Sequence, residues 1–121
     1  MGRVTVKVRR GDIVTIELNP TKGSEQQGSS RPCVVIQNDV GNQYSPTTIV
    51  APFTKQYDPT DIYPFEVEVL ASNTPLTHDS VADLSQIRVV DMKKRIQKNL
   101  GAVPAPRMAK IDAAIKNSLG L

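Results

Sequence analysis

The chain has 121 residues and a formal net charge of +3, enough for one domain with a real core and too little for a second. With three Tyr, two Phe and no Trp, Val, Ile, Leu and Ala must fill the interior. No apolar run approaches the ~20 residues of a membrane span, the basic N-terminus lacks the hydrophobic stretch of a secretory signal, and one cysteine, Cys33, cannot close an internal disulfide, so a cytoplasmic protein without membrane association is expected.

Taken in chain order, the pattern is one of short strands separated by turn signals. Val4, Val6 and Val8 alternate with Thr5 and Lys7 and predict an edge strand ahead of an Arg10-Gly11 turn. Asp12 to Leu18 alternates Val14, Ile16 and Leu18 against Ile13, Thr15 and Glu17, and stops at Asn19-Pro20. A polar loop, Thr21 to Ser30, ends at Arg31-Pro32. Cys33 to Gln37 is apolar on both faces and reads as a central strand. Asp39 to Pro46 is rich in turn formers and reads as a loop; Thr47 to Thr54 reads as the next strand. Pro52 implies that pairing stops or bulges near the end of that strand. A second loop, Asp58 to Pro64, precedes Phe65-Glu66-Val67-Glu68-Val69, an alternation that buries one face and leaves the other wet and acidic. Ser80 to Val90 is strand-like with a break near Ser85-Gln86. Met92 to Lys98 reads as a short turn of helix and Leu100 to Val103 as a last short strand. After Pro104 and Pro106, Met108, Ile111, Ile115 and Leu119 recur at helical spacing and Gly120 follows as a C-cap. These elements predict a mainly β domain, a small, partly open antiparallel β-barrel with a C-terminal α-helix packed on it.

Charge is unevenly spread. Arg3, Lys7, Arg9 and Arg10 make the start basic, and Lys93, Lys94, Arg95, Lys98, Arg107 and Lys110 gather late in the chain. Asp58, Asp61, Glu66, Glu68, Asp79 and Asp83 make the middle acidic. Basic ends suit an anionic partner such as nucleic acid, although two solvated faces of opposite sign would produce the same pattern.

Little in the sequence supports other chemistries. One histidine, one cysteine and no clustered carboxylates leave no tetrahedral metal site, and no cofactor is expected. A Cys33–His78 nucleophilic pair would need a reactive thiolate in the most apolar strand of the chain. Gly23 and Gly28 open no helix, so the nucleotide-binding glycine loop is missing. What remains is Arg31 with Glu25 before it and Thr54 at the end of the adjacent strand. A guanidinium and a hydroxyl can meet around one phosphate, and RNA can be cut by its own 2′-oxygen while fixed donors stabilise the charge that develops on the phosphate. Glu25 is then a candidate proton acceptor. The alternative is a structural ion pair at Arg31 and a threonine that merely ends a strand.

The residues Arg10-Gly11-Asp12-Ile13, Leu18-Asn19-Pro20, Gly23-Ser24-Glu25-Gln26, Arg31-Pro32 and Val35-Ile36-Gln37-Asn38-Asp39 resemble the MazF/PemK (Kid) family of toxin endoribonucleases. Gly41-Asn42, Ser45-Pro46-Thr47, Ile49-Val50-Ala51, Asp79-Ser80-Val81, Gln86-Ile87-Arg88 and Val90-Asp91 continue the resemblance from about residue 9 to 121. It implies a single toxin domain over 1–121, with residues 1–8 as an N-terminal extension, and a barrel of the PemK/CcdB-like toxin type. It also implies a homodimer that cleaves single-stranded RNA, often mRNA, at short motifs without metal, leaving 2′,3′-cyclic phosphate and 5′-hydroxyl ends. The partner implied is a cognate MazE-like antitoxin whose C-terminal segment occupies the RNA groove. On this resemblance Arg31 and Thr54 are the catalytic arginine and threonine, Glu25 is the loop acid, and Ser24, Gln26, Asn38 and Gln86 contact RNA. A non-catalytic relative, either a gyrase-poison-like protein or an inactivated toxin that only binds a partner, is the alternative. The loop Gln26-Gln27-Gly28-Ser29-Ser30 is one residue longer than the family pattern. Pro52 and the Pro59-to-Pro64 segment also depart from it, so the cleavage motif is not inherited.

Overall fold

Three strands carry apolar side chains on both faces, and the chain is arranged so that both faces are covered. The computed structural model describes residues 6–121. Among these, β1 (Asp12–Ile16), β2 (Arg31–Val35), β3 (Thr47–Thr54), β4 (Glu66–Val69), β5 (Ser80–Asp83), β6 (Arg88–Asp91) and β7 (Ile96–Ala102) form one antiparallel sheet. The order is β4-β5-β3-β2-β1-β7, with β6 also paired to β3, and the sheet curls into a partly open barrel. Alternation divides the core in two. Ile13, Val34, Ala51 and Phe53 point to one side, where Val67, Leu84 and Ile111 complete the cluster. Val14, Ile16, Cys33, Val35 and Val50 point to the other, with Leu18, Val90, Met92 and Ile96.

Pro52 sits where β3 changes partner. On the edge away from β2, Thr47–Val50 pair with β6 and Phe53–Thr54 pair with β5, so the missing proline N–H falls between two ladders. The break expected near Ser85-Gln86 is a 3-10 turn, Leu84–Gln86, whose start is capped by Asp83 accepting from Ser85 N. The C-terminal helix, α3 (Ala105–Leu119), begins with a proline in its first turn and ends at Gly120 in the left-handed region. It buries Ile111 and Ala114 and leaves Leu119 59 % exposed, so the inward stripe is shorter than the one drawn from spacing.

Three expectations are corrected. Residues 6–9 form no strand; Val8 is buried in the second cluster instead, and Val4 and Thr5 lie outside the described residues. Asp39–Tyr44 is a short helix, α1, rather than a loop: Asn38 caps it by accepting from Gly41 N, and Asp39 accepts from the Arg10 amide. The helical turn at Met92 is only α2 (Met92–Arg95). The strand after it is longer than expected because Ile96 to Ala102 pair along β1. No helix among the described residues is long and apolar enough to cross a membrane.

Candidate active site

Arg31 opens β2 and Thr54 closes β3. Cys33 lies opposite Pro52 and Val35 opposite Val50; carried two residues further, the same register sets Arg31 against Thr54. Both side chains therefore project to the side that holds Cys33 and Val50. The guanidinium is anchored through Nη2, which donates to the Phe53 carbonyl at 3.1 Å and to Gln26 Oε1 at 3.1 Å. Nε is buried without an acceptor, and Nη1 has no acceptor among the described residues. The Thr54 hydroxyl accepts from the Gln56 amide at 3.2 Å, which leaves its own hydrogen free to donate.

A cleft of about 510 Å³ is lined among others by Lys22, Glu25, Gln26, Pro52, Gln86 and Arg88; Arg31 and Thr54 are not in its wall, and Arg31 meets it through Gln26. Gln26 connects its walls: its amide donates to Gln86 Oε1 at 3.3 Å while its own Oε1 receives Arg31. Two of the expected RNA contacts are thus joined to the expected catalytic arginine. Glu25 is exposed on the cleft wall and makes no hydrogen bond or ion pair among the described residues. Ser24 is exposed on the same turn. Asn38 is not brought to the cleft. It caps α1, on the order of 20 Å of extended chain beyond Arg31.

Arg88 is a site residue that the sequence reading did not single out. It lies opposite Val50 in the β3–β6 ladder, lines the cleft, and makes one long bond, Nη1 to the Leu18 carbonyl at 3.4 Å. The charges of Arg31 and Arg88 both act on the Cys33 thiol, yet burial outweighs them and pushes its pKa up to about 12. That leaves a core thiol and no nucleophile. His78 is exposed in a turn, its Nδ1 3.0 Å from Thr77 Oγ1. The ion pair considered for Arg31 does not form: the one such pair among the described residues joins Arg10 to Asp112. Arg95 has a structural role, donating to the carbonyls of Glu17 and Asn19 at 2.9 and 2.6 Å. No group of three His, Cys, Asp or Glu side chains among the described residues is placed to hold a metal ion.

The loop that carries Glu25 is held most closely on its C-terminal side, and the amides of Lys22 to Glu25 make no hydrogen bond among the described residues. Gly28 bonds Leu18 and Asn19, Ser30 Oγ donates to Gln97, and Gln97 Nε2 donates to the Ser29 carbonyl. Lys22 to Glu25 are exposed. Amide exchange should accordingly be fast across Lys22–Glu25 and slower at Gly28, whose N–H is held by Asn19. Protection at Ser24 and Glu25 equal to that of Cys33–Val35 would contradict a mobile lip on the cleft.

Over residues 9–119 the chain matches the family described as PemK-like, MazF-like toxin of type II toxin–antitoxin system. Among solved structures it is similar to MazF from Deinococcus radiodurans, with 25 % identity, a TM-score of 0.77, and 96 % of this chain and 99 % of that chain covered. The MazE–MazF complex from the same organism gives 20 % identity, a TM-score of 0.72 and coverage of 96 % and 98 %. An endoribonuclease in complex with its cognate antitoxin from a mycobacterial species gives 20 % identity, a TM-score of 0.76 and coverage of 94 % and 96 %.

Proposed function

This chain belongs to the family of PemK-like, MazF-like toxins of type II toxin–antitoxin systems, and on that footing we propose that it is an endoribonuclease that cuts single-stranded RNA by metal-independent transesterification. The observation that carries this reading is the guanidinium of Arg31. It is fixed against the Phe53 carbonyl next to Thr54 in the chain, without a carboxylate partner, and is joined through Gln26 to a cleft that Arg88 lines.

In the proposed reaction the 2′-oxygen attacks the adjacent phosphorus and the bond to the 5′-oxygen breaks, giving a 2′,3′-cyclic phosphate and a 5′-hydroxyl. Arg31, through Nη1, and the Thr54 hydroxyl donate to the non-bridging oxygens, where charge accumulates in the transition state. Arg31 serves as a fixed charge rather than a proton carrier, because a guanidinium scarcely deprotonates. Glu25, the one carboxylate lining the cleft, accepts the 2′ proton, and the leaving 5′-oxygen takes a proton from solvent water. Ser24, Gln26 and Gln86 hold the flanking nucleotides. Arg88 neutralises a neighbouring phosphate.

Partners follow from the same reading: single-stranded RNA or mRNA as substrate, a MazE-like antitoxin that competes for the cleft, and a second copy of the chain, in the cytoplasm. The exposed Val40, Tyr44, Val89 and Leu121 (71, 78, 60 and 85 % exposed) give a homodimer apolar surface to bury. Light scattering at micromolar concentration should read about twice the monomer mass; a monomer that still cleaves would remove the dimer from the reading.

The activity itself is tested on a long unstructured RNA. Its fragments should accept a 5′-phosphate from polynucleotide kinase without prior dephosphorylation, and the labelled ends should map to one short motif. Intact RNA would favour a toxin that only binds its target, and fragments already carrying a 5′-phosphate would point to hydrolysis by another mechanism.

A further inference from the structure

We propose that Gly28 is a positioning residue for Arg31, because the space its missing side chain leaves is the space the arginine stem occupies. Gly28 adopts φ +141°, and a Cβ built there would lie 2.5 Å from Arg31 Cγ and 2.6 Å from Cδ, closer than real Cβ atoms approach. Neither partner is free to withdraw without consequence. The Gly28 backbone is held on both sides, its carbonyl accepting from Leu18 N at 2.8 Å and its N–H donating to Asn19 Oδ1 at 3.2 Å. Arg31 is held at its far end by the Phe53 carbonyl and Gln26.

A side chain at position 28 therefore has one escape, and it costs the arginine its anchors. The arginine stem can swing aside, whereas the Leu18–Gly28–Asn19 clamp closes the base of the loop onto the segment that follows β1. The fold tolerates that swing and the chemistry does not, since it pulls Nη2 off the Phe53 carbonyl and Gln26 that fix the guanidinium. A displacement on the order of 1 Å at a reacting group can cost about 100-fold in rate. The Leu18–Asn19 clamp thus acts on the reaction indirectly, by fixing the backbone against which the stem rests.

This inference rests on the endoribonuclease reading, and its test separates the two. With a short RNA spanning a mapped cut, Gly28→Ala should lower kcat by about 100-fold and change KM by less than about threefold, because the RNA contacts elsewhere in the cleft are untouched. Arg31→Ala removes both Cγ and Cδ, so adding Gly28→Ala to it should lower the residual rate by less than about twofold. The melting temperature supplies a second measurement. The backbone cost of a side chain at φ +141° is common to both backgrounds, but the collision exists only when Arg31 is present. Gly28→Ala should consequently destabilise the wild type more than it destabilises Arg31→Ala. Wild-type kcat in Gly28→Ala, or equal penalties with and without the Arg31 side chain, would overturn the proposal. If Gly28→Ala proves too unstable to assay, the double variant decides, since recovery towards the Arg31→Ala melting temperature supports the collision and no recovery excludes it. Wild-type cleavage by Arg31→Ala alone would instead sink the catalytic reading of Arg31 and leave the steric coupling to be judged from the melts.

Discussion

Arg31→Ala and Thr54→Ala should each lower kcat by at least about 100-fold, the usual cost of deleting one donor to a transition-state oxyanion. The two should differ in stability. Thr54 lies at a strand end and its hydroxyl holds only the Gln56 amide, so Thr54→Ala should melt close to the wild type. Arg31→Ala leaves the Phe53 carbonyl and Gln26 without their donor but also removes an Nε that is buried without an acceptor. These effects oppose one another, and the melting temperature should stay within about 5 °C. Arg31→Lys is the sharper variant. In the proposed mechanism one planar guanidinium does two jobs, with Nη2 anchored to the protein and Nη1 donating to the substrate. An ammonium on a shorter stem cannot reach both. Arg31→Lys should therefore be nearly as slow as Arg31→Ala while binding RNA almost normally. Near-wild-type cleavage by either Arg31 variant would overturn the site assignment.

How far the sequence alone carried this reading depended on where the determining contact lies. The strand Thr47–Thr54 was legible to the residue, because its apolar run is bounded by Ser45-Pro46 before it and a polar loop after it. The alternation from Phe65 to Val69 and the break at Ser85-Gln86 were legible for similar local reasons. Helix α1 was not. Asp39, Gly41 and Asn42 favour turns, and the helix buries none of its residues. It forms because Asn38 caps it and because Arg10, far away in sequence, donates its amide to Asp39. Ile96–Lys98 was included in the helical turn read over Met92 to Lys98, yet pairing with β1 makes it strand.

The candidate site divides in the same way. Arg31, Glu25 and Gln26 lie within one loop and its strand, and Gln86 was drawn in by resemblance; the structure joins Gln26 and Gln86 to the cleft through hydrogen bonds no spacing could have revealed. Arg88 needed the β3–β6 register. Gly28 gave no signal at all, since a glycine in a Ser/Gln-rich loop looks like a hinge until the arginine stem is seen lying against it. Cys33 needed only its surroundings in the sequence, and a buried thiol with a pKa near 12 is what a central apolar strand provides.

Replacing the single 2′-hydroxyl on the 5′ side of the mapped cut with hydrogen should reduce cleavage at that bond by at least about 10⁴-fold, the largest effect expected of any change to the system. An internal nucleophile held beside its phosphorus can have an effective molarity of roughly 10⁵–10⁸ M, and no group lining the cleft is placed to substitute for it. Glu25 can take a proton, but a water attacking in place of the 2′-oxygen would have to be bound and oriented in line with the leaving group. The same substitution one nucleotide away should change the rate only as far as that hydroxyl contributes to binding. The modified strand should still occupy the cleft, because the phosphates that Arg31 and Arg88 are proposed to bind are left unchanged by deoxyribose. It should act as a competitive inhibitor with a constant near the KM of the RNA. Cleavage of the unmodified RNA should be unchanged in EDTA. Equal cutting of the deoxy strand would mean that the 2′-oxygen is not the nucleophile, and a rate that collapses in EDTA and returns with magnesium would mean that a metal, rather than Arg31 and Thr54, carries the developing charge.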